Sequence, residues 1–150
     1  MDKADVITQI QNAFSGVELG EGIGLFQGQA IDDWESVEVQ KKQRLNDEKR
    51  CWQSIEDETL DRCRSSLSFF DPDGMRFHLP AYMIGSILEK VDDPIFHLTQ
   101  LDDYAVSKFT SLNQIQRESI ITYLYWCMAQ EEYDFDVPVI KRALNEFWEK

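Results

Sequence analysis

Apolar residues recur three and four positions apart along most of the chain, and this spacing constrains the fold more than any other feature. Ile120, Tyr123, Leu124, Cys127 and Met128 follow i, i+3, i+4, i+7, i+8, the signature of one buried helix face. Ile121, Tyr125 and Trp126 add apolar groups on other sides, which predicts a central, surrounded helix. Val6, Ile7, Ile10, Ala13 and Phe14 predict a first helix over residues 2–14, with Gly16 as a left-handed exit. A glycine-rich loop over 15–24 and a short helix over 26–34 follow. Leu60, Cys63, Leu67 and Phe70 predict a helix from near Glu56, whose early acids suit the positive end of a helix dipole. Ala81, Ile84, Leu88 and Val91 mark a stripe that begins at Pro80, a residue suited to a first helical position. Ser111 with Gln114 resembles a capping box, and a last helix starts near Pro138 with Ile140, Ala143, Leu144, Phe147 and Trp148 turned inward. Hydrophobic residues make up 43% of the 150, enough for one core and no more. The expectation is a mainly α, single domain over residues 1–150 with five to seven helices.

The stretch Phe69 to Met83, FFDPDGMRFHLPAYM, gathers the most chemistry. Asp71-Pro72-Asp73-Gly74 has the composition of a turn, with Gly74 at positive φ. Calcium is excluded: placing Gly74 at position six of an EF-hand loop puts Phe69 and Pro80 at the ligating ends. Leu79 precedes a proline, which favours extended backbone, so residues 67–79 read as an extended corner or short β-hairpin. Alternation then buries Met75, Phe77 and Leu79 and turns Arg76 and His78 outward, near the two aspartates. Asp71, Asp73, Arg76, His78 and Tyr82 are the candidate binding residues. A carboxylate orients a histidine, a histidine moves protons, and an arginine holds an anion. The competing reading is a structural corner in which Arg76 pairs with Asp71 or Asp73.

Elsewhere the sequence excludes more than it offers. Residues 15–24 match neither G-x-G-x-x-G nor a P-loop, and no H-E-x-x-H or nucleophile elbow occurs. Three scattered cysteines make neither a disulfide framework nor a zinc site. No catalytic residue, cofactor or metal is therefore expected. No apolar run approaches a membrane span, and the first residues lack an apolar signal region, so a cytoplasmic location is expected. The 28 acids outnumber the 15 bases, giving a net charge of −13 that repels phosphate backbones and argues against nucleic acid. Five of the bases sit in residues 41–50 and read as a solvated helix face. These exclusions favour a non-enzymatic protein-interaction module with a basic protein partner, an immunity-type protein being one concrete version. The alternative is a small-ligand site or enzyme built on the Asp71–Tyr82 corner.

The segments GIGLFQGQAIDDWES, RLNDEKRCWQSIEDETL, SSLSFFDPDGMRFHLPAYMIGSIL and FTSLNQIQRESIITYL together resemble a family of small bacterial proteins catalogued as a domain of unknown function. Its hallmark has the form S-F-x-D-x-x-G-x-R-F-x-L-P-A-Y. The resemblance covers residues 22–126 and falls on Asp32, Asp33, Trp52, Phe69, Asp71, Gly74, Arg76, Phe77, Leu79, Pro80, Ala81, Tyr82 and Gln116. The family pattern more often carries an aromatic residue where this chain has His78. No activity accompanies the resemblance.

Overall fold

Every residue from Met1 to Lys150 is described by the computed structural model, which is helical throughout and contains no strand. The α-helices are α1 (Lys3–Ala13), α2 (Leu25–Asp32), α3 (Val37–Arg44), α4 (Asp57–Arg62), α5 (Pro72–Ile87), α6 (Ile95–Thr99), α7 (Asp103–Ser107), α8 (Gln114–Met128) and α9 (Val137–Ala143). Nine exceeds the expected five to seven for a simple reason. Helices α6 and α7 have five residues each, too few to display a 3.6-residue period. The helix expected to run from Glu56 to Phe70 instead breaks at Cys63 and continues as a 3-10 turn, Arg64–Ser68. One cluster of 32 buried apolar residues runs from Val6 to Trp148 and joins these pieces into a single domain.

The largest correction concerns α5. No hairpin or extended corner forms over 67–79; residues 72–87 are one continuous helix. Asp71 is its N-cap, accepting a hydrogen bond from the Gly74 amide at 2.9 Å, and Pro72 occupies the first helical position. Pro80 does not start a helix but lies inside this one. It has no N–H to give the Arg76 carbonyl, a loss worth about 3 kcal/mol in an exposed helix. Burial offsets that loss. Met75, Phe77, Leu79, Tyr82, Met83 and Ile87 are all at most 1% exposed, and together with the buried Gly74, His78, Ala81 and Gly85 they surround the helix instead of lining one face. Thus Met75, Phe77 and Leu79 are buried as expected, but through helical packing and not strand alternation.

Helix α5, and not α8, is the surrounded element. Helix α8 buries Ile120, Tyr123, Leu124 and Cys127 on one face, while Tyr125 on another is 49% exposed. Its capping box falls two residues beyond the expected pair. The Asn113 side chain accepts from the Gln116 amide at 2.8 Å and the Gln116 side chain from the Asn113 amide at 3.0 Å. The last segment follows the expected stripe, then widens at Leu144–Trp148 into a π-helical turn that seats Trp148, whose indole donates to the Leu98 carbonyl.

The glycine-rich loop is an interlock. Gly16 takes φ +75° after α1, as expected, but Gly74 is absent from the positive-φ residues. Its hydrogen is needed for proximity. A methyl group on Gly74 would lie 2.5 Å from the Ile23 carbonyl oxygen, and one on Gly22 would lie 2.8 Å from the Gly74 nitrogen. Asp71 fastens the joint, because the oxygen that caps α5 also accepts from the Ile23 amide at 2.9 Å. Next to it, the buried Asp47 carboxylate accepts from the Phe26 and Gln27 amides and caps α2 from outside.

Candidate functional site

The five candidate residues of the corner share one helix but turn to different neighbours. Asp71 is occupied by the two backbone amides just described. Asp73 accepts from the Ser111 hydroxyl at 3.0 Å and from an Arg76 guanidinium nitrogen at 3.4 Å. A second guanidinium nitrogen of Arg76 reaches the Ser111 carbonyl at 3.4 Å. This trio pins the start of α5 to the segment before α8. The Arg76 Nε is the one buried side-chain nitrogen or oxygen left without a partner.

His78 does not face outward beside the aspartates; it is 1% exposed. Its ring stacks on Phe70 at 4.4 Å and meets the edge of Phe77 at 4.9 Å. Nδ1 lies 2.7 Å from the Gly74 carbonyl, which can only accept, so Nδ1 carries the proton. Burial holds the imidazole neutral and pushes its pKa down to about 4, with the Gly74 bond opposing in part. Tyr82, 1% exposed, donates to the Leu60 carbonyl at 2.7 Å, and burial raises its pKa far above the usual tyrosine range. None of the five lines the cavities at the α2–α3 turn, beside His97 or along the C-terminal half of α5.

Sequence reasoning passed over Trp34. This side chain is 94% exposed and its backbone sits at φ +60°. The conformation follows from how α2 ends. The Trp34 amide bonds to the Ile31 carbonyl at 3.1 Å and the Glu35 amide to the Ala30 carbonyl at 3.0 Å. This pair defines a Schellman cap, whose left-handed position is normally glycine. Trp34 borders a cleft of about 430 Å³ shared with Ile31, Asp32, Glu35, Gln40 and Phe69. A second cleft of about 240 Å³, lined in part by Asp33 and Glu35, lies against the same α2–α3 turn. Neither cleft contains a basic residue. Helix α3 buries no residue of its own, so the turn stands clear of the core.

The second histidine, His97, lies on α6 and borders a smaller cavity of about 170 Å³ with Lys108 and Tyr104. Burial, and then the Lys108 charge, lower its pKa to about 4. Lys108 sits 3.5 Å from the centre of the Tyr104 ring, a cation–π contact, with the Asp102 carboxylate bordering the same cavity.

These features define an all-helical domain in which most internal polar groups hold segments together, while Trp34 and Phe135 are left outside almost wholly solvated. The chain belongs to a family of unknown function (DUF6714), whose sequence pattern it matches over residues 2–150. That span is wider than the 22–126 of the resemblance noted above. No curated protein and no solved structure matches the chain.

Proposed function

We propose that the protein is a non-enzymatic interaction module that docks a basic protein partner through Trp34. The observation that carries this reading is a large aromatic residue, almost wholly solvated, at a backbone position where glycine would be less strained. Left-handed backbone costs an L-residue about 1–2 kcal/mol, and the exposed indole recovers little of it within the chain. Strain of this kind persists where function uses it, and tryptophan is the residue most enriched at interface hot spots. Charge gives the partner its sign. Asp32, Asp33 and Glu35 flank the indole without a base in either cleft, within a chain of net charge −13. In this reading Asp71, Asp73, Arg76, His78 and Tyr82 hold the fold, each already committed to a neighbour.

The test uses wild-type protein and the Trp34→Gly variant as baits in lysate of the native host, with bound proteins quantified by mass spectrometry. A basic protein should be retained in stoichiometric amount by wild type, lost with Trp34→Gly, and released by salt as the Debye length falls below about 8 Å. Retention of the same partner by both baits would remove Trp34 from the interface, and an acidic partner held equally at high salt would refute the charge argument.

A further inference from the structure

The C-terminal end of α5 opens on a different kind of cavity, of about 430 Å³, distant in sequence from Trp34. Asp61, Glu89, Asp92, Asp93, Glu132 and Asp136 line it, against the single base Lys90. Asp92 is paired with Arg64, and Asp61 and Asp93 each accept one backbone amide, from Asp92 and Ile95. Glu89, Glu132 and Asp136 have no partner. The end of a 16-residue helix adds its own partial negative charge. Its final turn closes with Glu89 at φ +58° and the Lys90 amide bonded to the Gly85 carbonyl at 2.9 Å.

An acidic cluster alone would be a solvated surface, but this one surrounds a polar group that the fold leaves unserved. Tyr133 is 7% exposed, and its hydroxyl makes no hydrogen bond within the protein. The hydroxyl is also not sealed in, since Arg76 Nε is the one buried polar side-chain atom without a partner. It lies within electrostatic reach of the Asp93, Glu132 and Asp136 carboxylates, which line the same cavity as Tyr133. Burial first, and then the carboxylates of Asp93, Glu132 and Asp136, hold it protonated, so it offers a neutral donor and acceptor beside unpaired acids. The neighbouring hydroxyls are already committed. Ser86 donates to the Met83 carbonyl and receives a hydrogen bond from Tyr123 at 2.7 Å.

We propose that this cavity binds a small organic polycation, an alkyl di- or polyamine. The carboxylates are spread around the cavity, and no three acid, thiol or imidazole groups of the chain are placed to share one metal ion. A ligand with ammonium groups separated by methylenes matches that spread better than a point charge. The Tyr133 oxygen can accept from one ammonium while the unpaired carboxylates of Glu89, Glu132 and Asp136 hold the others.

Calorimetric titration of the full chain with spermidine tests the assignment. One molecule should bind per chain. Glu132→Gln/Asp136→Asn should weaken it roughly tenfold, the combined effect of two exposed charge pairs. Tyr133→Phe, which keeps the packing, should weaken it about three- to tenfold through the lost hydrogen bond. Glu18→Gln/Glu21→Gln removes two exposed charges elsewhere and should leave binding unchanged. Equal weakening by that control pair, or complete displacement of spermidine by MgCl₂ at matched ionic strength, would reduce the effect to diffuse counterion attraction and overturn the site. Binding of a lysine-rich peptide but not of spermidine would overturn the ligand class.

Discussion

Replacing Trp34 by glycine separates stability from recognition, because the two should move in opposite directions. Glycine relieves the left-handed strain, worth about 1–2 kcal/mol. It also raises the entropy of the unfolded chain, which costs about 0.5–1 kcal/mol. The lost packing is small. At 94% exposure only about 15 Å² of a side chain of roughly 250 Å² is covered, or about 0.4 kcal/mol at 25 cal/mol per Å². The balance is a net gain centred on about 0.3 kcal/mol. Trp34→Ala keeps the Cβ and its strain while losing the same packing, so it should be no more stable than wild type. Urea denaturation followed by fluorescence can resolve the ordering, because Trp52 and Trp148 remain buried as reporters at 3% exposure each. The predicted order is glycine, then wild type, then alanine, with partner binding lost in both variants. A glycine variant less stable than the alanine variant would show that Trp34 does not occupy the left-handed cap, and the inference of stored strain would fail with it.

Other perturbations test the interior. His78 titrates at about 4 in the folded chain and near 6.5 unfolded, so its contribution is complete above 6.5 and is lost as pH falls through 4. By pH 4.5 the loss is about 2–3 kcal/mol, and His78→Asn, which keeps a donor for the Gly74 carbonyl but cannot titrate, should show a correspondingly flatter stability profile between pH 7 and 4.5. Gly74→Ala would ordinarily strengthen a helix by about 0.8–1 kcal/mol. Here the new methyl meets the Ile23 carbonyl at 2.5 Å, so thermal or urea melts should show a loss of about 1–3 kcal/mol. Leu124→Ala removes a side chain with 0% exposure and should cost about 2–5 kcal/mol in the same melts.

The helical class and much of the core were legible because they rest on periodicity. Val6, Ile10, Phe14, Ile120, Leu124 and Ile140 all lie where their spacing puts them. The α5 region misled for a physical reason. Pro80 and the residue before it carry strong local preferences against helix, and those preferences yield to burial around the whole circumference of α5. The start of α5 was nevertheless written in the chain, since Asp-Pro is an N-cap followed by a first-turn proline as readily as it is a turn. His78 was misplaced with the strand. On a helix, positions 74 and 78 lie one turn apart, and that puts the ring against its own backbone carbonyl. Trp34 carried no warning, because a helix ending in a left-handed tryptophan has no composition to distinguish it from an ordinary aromatic core residue. The cavity below α5 was equally hidden, drawing its acids from positions 61 to 136.

The carboxylate oxygen of Asp71 serves two amides, one 48 residues before it at Ile23 and one three residues after it at Gly74. Neither the first turn of α5 nor the loop at Ile23 can then open without orphaning the other's acceptor geometry, and both should detach as one unit. Hydrogen exchange at the Ile23 and Gly74 amides would accordingly share a common opening free energy. Substitutions in the two segments would combine non-additively, as for any two groups hung on one acceptor. What reads along the chain as a remote loop and a helix cap is, in terms of cooperativity, a single hinge pin.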